Sequence, residues 1–200
     1  MSGWSHHAGL AVLLDRANVD TDQLIPARFM STPRAQGYGR FLLHDLRGDG
    51  AAWDVPGASI LVAGPNFGCG SSREAAVYAL VDAGFRAVIA PGFGDIFAAN
   101  AVNNGLLPAV ADTGALMRAL PGRLAIDLAV GTITPEGGAA IGFDLDPVWC
   151  VKLINGWDDI DLTARHTDDI TAFAKRRREQ APWLWPQTTG AKPPSTGRDQ

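Results

Sequence analysis

Apolar positions along the chain fall into two kinds of run. Short β-branched stretches, LAVLL at 10–14, SILVA at 59–63, AVIA at 87–90 and LAIDLAVGTIT at 124–134, are bounded by Gly, Pro or Asp and predict strands. Longer stretches mix apolar and charged residues at helical spacing and predict helices: SREAAVYALVDAG at 72–84, GDIFAANAVNN at 94–104, TGALMRAL at 113–120 and TDDITAFAKRRREQ at 167–180. Strand alternating with helix points to an α/β fold with a parallel or mixed sheet. Residues 122–146 break the alternation, because Gly-rich turn signals stand between two strand-like runs, and they predict an added antiparallel hairpin. Residues 1–181 are expected to form one domain. Residues 182–200 are rich in Pro, Gly and Thr, carry no apolar periodicity after Trp185, and are expected to be a disordered tail.

Composition narrows the function classes. At 200 residues and 46% hydrophobic composition the chain can bury one substantial core. A net charge of -4 gives no electrostatic reason to expect a nucleic-acid partner. The first residues, MSGWSHHAGLAVLLDR, lack a basic leader and their apolar run ends at Asp15, so neither a signal peptide nor a membrane span is predicted. Two cysteines, Cys69 and Cys150, make no disulfide framework and no structural zinc site, and a reducing cytoplasm is the expected setting. The four histidines show no metal-ligand spacing.

The densest chemistry is GPNFGCGSSRE at 64–74, a strand-to-helix turn. Glycines at 64, 68 and 70 let the backbone adopt positive φ and let another molecule approach closely. Ser71 and Glu74 also match a capping box, with Ser71 accepting from a backbone N–H and Glu74 reaching back, so a plain helix start is one reading of the turn. That reading leaves Arg73 unexplained, since the macrodipole disfavours a cation in a first helical turn. Arg73 therefore suggests a bound carboxylate or phosphate shared with helix-end N–H groups. A phosphate loop lacks its lysine here and a hydrolase elbow lacks its second glycine. Cys69 is either a lowered-pKa thiolate or a small buried thiol. The remaining option is a serine hydroxyl as proton carrier with Arg73 gripping a carboxylate.

These residues carry a family resemblance. NFGCGSSRE, preceded by ANVDTDQLIPARF at 17–29 and followed by VIAPGFGDIFAANAVNNGLLP at 88–108, resembles the small subunit of 3-isopropylmalate dehydratase, with weaker similarity at NGWDDIDLT, 155–163. The resemblance implies an aconitase-like swivelling β/β/α domain. It also implies a large-subunit partner carrying a [4Fe-4S] cluster, with no cofactor bound by this chain, and isomerisation of 2-isopropylmalate to 3-isopropylmalate by dehydration and rehydration. Two cysteines are too few to ligate such a cluster, in agreement with that division of labour. Ser71 matches the hydroxyl that takes the proton from carbon, and Ser72 and Arg73 match groups that hold substrate oxygens and a carboxylate. Gly68, Cys69 and Gly70 shape the turn, and Asp20, Thr21 and Asp22 stand in the loop that supports it. If Ser71 is a base it cannot also be fully engaged as a cap, which a helix starting at Gly70 resolves.

Two positions depart from the family pattern. Ala75 stands where histidine is usual, and in the loop MSTPRAQG Ala35 stands where arginine is expected, leaving Arg34 as its one cation. Arg34 is therefore the candidate for a second substrate carboxylate. Another 2-alkylmalate is the rival substrate, and a noncatalytic anion- or partner-binding domain is the rival function. In GDIFAANAVNN, Asp95 is expected to cap a short helix that Asn103 and Asn104 close.

Overall fold

The computed structural model describes residues 2–48 and 51–185, in two compact units, Met1–Ile160 and Asp161–Gln200. The first unit is built on a seven-stranded mixed sheet. Strands β1 (His6–Leu14), β2 (Ala58–Ala63), β3 (Ala87–Ala90) and β4 (Leu107–Val110) run parallel in the order β4-β3-β2-β1. On the other side of β1 the sheet continues antiparallel through β5 (Gly122–Asp127), β6 (Thr132–Pro135) and β7 (Ile141–Gly142). The α/β fold with an antiparallel addition expected from the sequence is the fold observed. The run 124–134 is not one strand, however, but most of β5 and β6 with their turn. Asp127 accepts from the amides of Ala129 (2.9 Å) and Val130 (3.1 Å), and Gly131 takes φ +73°, which closes a tight turn inside an apolar run.

Both faces of the parallel sheet are covered, which is why β2 and β3 are apolar throughout rather than alternating. The period-2 pleat still sorts their residues. Leu61, Ala63, Val88 and Ala90 face one core with Phe67, Ala76, Leu80 and Phe97, while Ile60, Val62, Ala87 and Ile89 face a second with Val102, Leu116 and Leu153. The helices that cover the sheet are α1 (Thr21–Leu24), α2 (Glu74–Asp82), α3 (Asp95–Asn103), α4 (Gly114–Met117) and α5 (Pro147–Asn155). Helix α5 and strand β4 were missed by the periodicity reading. Pro108 inside β4 and Pro147 opening α5 look like breakers in sequence, although proline suits a first helical position. Between α1 and β2 the described residues make four 3-10 turns, and Leu42, Leu43 and Trp53 of this stretch are buried.

Helix α6 (Asp159–Ala164) crosses the boundary between the units, and α7 (Thr167–Gln180) is the main element of the second. Residues 175–178 of α7, the basic run, are exposed at its C-terminal end as the dipole favours. A 3-10 turn, Pro182–Leu184, follows, and the rest of the expected tail, 186–200, lies outside the described residues. Among the described residues no helix is long and apolar enough to cross a membrane.

One polar triad ties α3 to α5. The Lys152 side chain is only 3% exposed, and its Nζ donates to Asn103 Oδ1 and to Asp159 Oδ1 (2.6 Å), while Asn103 Nδ2 donates to Asp159 Oδ2 (3.0 Å). A buried ammonium without such acceptors is costly, so Asn103 does more than end a helix. These donors, Lys152 first, hold the Asp159 carboxyl below its ordinary range. A carboxyl with a depressed folded pKa stabilises the fold above its unfolded pKa of about 3.9, and the contribution disappears as pH falls through the lower folded value. Because the Asp159 side chain is 71% exposed and solvent screens it, Asp159→Asn is expected to cost only about 0.5–1 kcal/mol in urea unfolding at pH 7 and less at pH 3. An equal cost at both pH values would show that the charge on Asp159 is not what satisfies Lys152.

Candidate active site

Three loops leave the C-terminal ends of parallel strands β1, β2 and β3 and meet at the turn 67–71, the end of an α/β sheet where ligand sites form. Backbone hydrogen bonds stitch them together. Gly68 N–H donates to Val19 (2.7 Å) and Thr21 N–H to Cys69 (3.1 Å) on one side, while Phe67 N–H donates to Gly92 (3.0 Å) and Gly94 N–H to Phe67 (2.9 Å) on the other. Gly68 has φ +71°, and a Cβ there would collide with the ring of Phe97. Gly94 is as constrained, since its Cβ would lie 2.6 Å from the Gly68 carbonyl oxygen. The glycines in this turn thus serve contact between chain segments as well as backbone conformation.

The supporting loop is itself capped. Asp20 accepts from Gln23 N–H (2.7 Å) and Gln23 Oε1 accepts from Asp20 N–H (3.1 Å), a capping box at the start of α1. This holds Thr21, 2% exposed, so that its hydroxyl donates to the Ser71 carbonyl oxygen at 2.8 Å. Asp22 reaches outward to form an ion pair with Arg73. The DTD sequence is thus more than a turn: each of its three side chains has a separate task around the 68–73 segment.

The capping box expected between Ser71 and Glu74 is not formed. Helix α2 begins at Glu74, its N-cap is Arg73 in extended conformation, and no side chain caps it. Glu74 instead accepts from Asn104 Nδ2 at 2.9 Å, across to the end of α3. The helix thus starts later than Gly70. Ser71 and Ser72 are exposed, and neither hydroxyl has a protein partner among the described residues.

A cleft of about 180 Å³ opens at this point. Ser71, Arg73, Cys69 and Thr21 line one side of it, and Gly94 to Phe97 line the other. The latter are the N-cap and first turn of α3, whose leading amides have no intrahelical acceptor. The helix end that faces Ser71 therefore belongs to α3, not to α2 as the sequence suggests. Asp95 is the first helical residue there rather than the cap, which is Gly94. Cys69 is half-buried at the cleft wall.

Arg34 is not brought to this cleft. Its guanidinium makes a bidentate pair with Asp82 (2.6 and 3.0 Å) and lies 4.3 Å from the Tyr78 ring centroid. Asp82 also accepts from the Tyr38 amide (2.7 Å). Asp82 ends α2 while Arg73 precedes it, so the two arginines sit at opposite ends of a nine-residue helix, about 13 Å long. Arg34 pins its loop to α2. Ala35 is exposed beside it, and Ala75 is buried in the core at 8% exposure. Thr21 was placed in the supporting loop by the resemblance, but its bond to the Ser71 carbonyl, the Glu74–Asn104 contact and the facing α3 terminus were not legible in sequence. Asp20 three positions before Gln23 was nevertheless an available signal for α1.

Because Ser71 caps nothing, Ser71→Ala is expected to change unfolding free energy by less than about 0.5 kcal/mol, against about 1 kcal/mol for a lost cap. Glu74 and Asn104 should instead couple in a double-mutant cycle by roughly 0.5–1.5 kcal/mol. A stability loss at Ser71 with no Glu74–Asn104 coupling would restore the capping box.

Comparison with known proteins agrees with this geometry. Residues 44–113 match the family described as aconitase C-terminal domain, and residues 159–187 match the family of C-terminal domains of the 3-isopropylmalate dehydratase small subunit. The chain is 39% identical over 203 aligned positions to the 3-isopropylmalate dehydratase small subunit of Psychromonas ingrahamii, covering 92% of this chain and 100% of that protein. The crystal structure of a 3-isopropylmalate dehydratase from Methanocaldococcus jannaschii superposes with a TM-score of 0.68 at 28% identity, over 84% of this chain and 99% of that one. With two family models matched in separate segments and a 39% identical relative covered end to end, the chain belongs to the 3-isopropylmalate dehydratase small-subunit family, with its aconitase-like domain.

Proposed function

We propose that the chain is the small subunit of a cytoplasmic two-component hydro-lyase that isomerises 2-isopropylmalate to 3-isopropylmalate in leucine biosynthesis. The observation that carries this is the Ser71 hydroxyl, free of protein partners in a cleft shared with Arg73 and the first turn of α3. An iron–sulfur cluster does not fit this chain's own donors. Cys69 lines the cleft, whereas the Cys150 thiol on α5 donates to the Leu128 carbonyl (3.3 Å), and two thiols fall short of the three or four such a cluster takes. The cluster is assigned to the large subunit, without which the chain is inactive.

The residues of this chain then divide the work. Ser71 Oγ, ionised to the alkoxide, takes the proton from the substrate carbon next to the one whose hydroxyl departs during dehydration, becoming the neutral hydroxyl. It returns that proton to carbon during rehydration, becoming the alkoxide again. The unpaired amides of the α3 first turn lower the cost of negative charge at that oxygen. Arg73 exchanges part of its pairing with Asp22 for a substrate carboxylate, and Asp22 holds the guanidinium ready between turnovers. The Ser72 hydroxyl donates to a substrate oxygen. Thr21 fixes the Ser71 backbone, so the hydroxyl is aimed without being consumed.

The substrate class has one rival. With Arg34 held by Asp82 and Ala35 beside it, the 29–37 loop presents no unpaired guanidinium among its described side chains, which favours a scan of shorter 2-alkylmalates beside 2-isopropylmalate. Anaerobic reconstitution with a cluster-loaded large subunit is expected to yield hydratase activity. Ser71→Ala should lower kcat by about 10²–10⁴-fold with KM little changed. Arg73→Lys should mainly raise KM, because an ammonium cannot reproduce a bidentate contact. Full turnover by Ser71→Ala would remove it from the mechanism, and no activity on any 2-alkylmalate would leave a noncatalytic binding domain.

A further inference from the structure

Beside the cleft a larger groove of about 560 Å³ runs between α3 and the start of α5. Phe93, Leu145 and Trp149 supply apolar walls, and Asp95, Asp144 and Asp146 supply carboxylates, while among the described residues no Lys, Arg or His lines it. Asp95 and Asp144 are exposed and no described side chain or amide engages their carboxylates, whereas Asp146 accepts from the Val148 amide (2.7 Å) at the head of α5. Like charges without a countercharge repel, so this groove rejects the dicarboxylate that the neighbouring cleft is suited to hold. Its chemistry suits a cation on an apolar stem. Such a side chain buries its methylenes against aromatic walls and keeps its charge among carboxylates, with cation–π attraction to the rings.

Position decides whose cation it is. Asp95 lines both groove and cleft, and Phe93 stacks on Phe97, the cleft wall, at 6.2 Å and 5°. A subunit that covers Ser71 therefore passes over Asp95 and reaches the groove. Exposed Ile96 (54%) and Val148 (50%) extend the apolar surface on α3 and α5. We propose that this groove docks a basic segment of the large subunit, laying one Arg or Lys side chain along Phe93 and Trp149 with its cation among Asp95, Asp144 and Asp146. The inference rests on the two-subunit function above.

Calorimetric titration of the full chain with its large subunit tests it. Asp144 is suitable because its backbone pairing with Val110 (2.8 and 3.3 Å) does not involve the side chain. Asp144→Asn is expected to weaken binding about tenfold and Asp144→Arg about a hundredfold, with wild-type affinity falling as salt rises. Trp149→Ala, checked for folding by circular dichroism, should weaken it about thirtyfold. Glu136→Arg, exposed after β6, should have no effect. At saturating large subunit Asp144→Asn should recover wild-type kcat, which separates docking from catalysis. If the wild type binds and the Asp144 and Trp149 variants bind as tightly, the groove is not the docking site, while the function stands. If the wild type neither binds nor gains activity, the two-subunit reading fails and takes the groove with it. Self-association of the wild type in sedimentation velocity, abolished by Asp144→Arg, would overturn the assignment in favour of a second copy.

Discussion

The close approach of the Gly68 turn to two other loops is the constraint on which the candidate site depends. Chain leaving β1 and chain leaving β3 each hydrogen-bond to the backbone of the turn that leaves β2. That is possible only because Gly68 lacks the Cβ that Phe97 would meet and Gly94 lacks the one that the Gly68 carbonyl would meet. Backbone-to-backbone contact brings Ser71, Arg73 and the α3 first turn around one cleft, with the Asp22–Arg73 ion pair and the Thr21 hydroxyl on the Ser71 carbonyl as side-chain ties. The Ser71 and Ser72 hydroxyls keep no protein partner among the described residues.

Removal of Ser71 from helix capping follows from the same packing. Glu74 is drawn to Asn104 at the end of α3, and the chain stays extended through Arg73. The tertiary pairing of Glu74 thus leaves the Ser71 hydroxyl without a capping role at α2. Arg73 is likewise held by Asp22 from a different loop, a pair only partly withdrawn from water. Such a partly exposed pair adds little stability.

Charge is sorted around this end of the sheet. Arg73 and unpaired amides mark the cleft, and three carboxylates mark the adjoining groove. Asp95 stands at the border between the two. Arg34, which sequence reasoning sent to the substrate, is instead sequestered at the far end of α2 by Asp82 and two tyrosines.

Sequence by itself determined the strand and helix alternation, the extra antiparallel segment and the turn that carries the chemistry. These rest on local causes: apolar period, glycine backbone freedom and the rarity of a cation at a helix start. Resemblance of NFGCGSSRE and its flanking motifs was enough to identify the family, because three motifs in order are specific where each alone is not. Tertiary structure alone decided which helix end faces Ser71, which partner Glu74 takes, where Arg34 goes and why Lys152 can be buried. The last three depend on partners far along the chain, Asn104 for Glu74, Asp82 for Arg34 and Asn103 for Lys152. Capping patterns describe what a segment can do alone, and packing decides whether a distant partner outcompetes it.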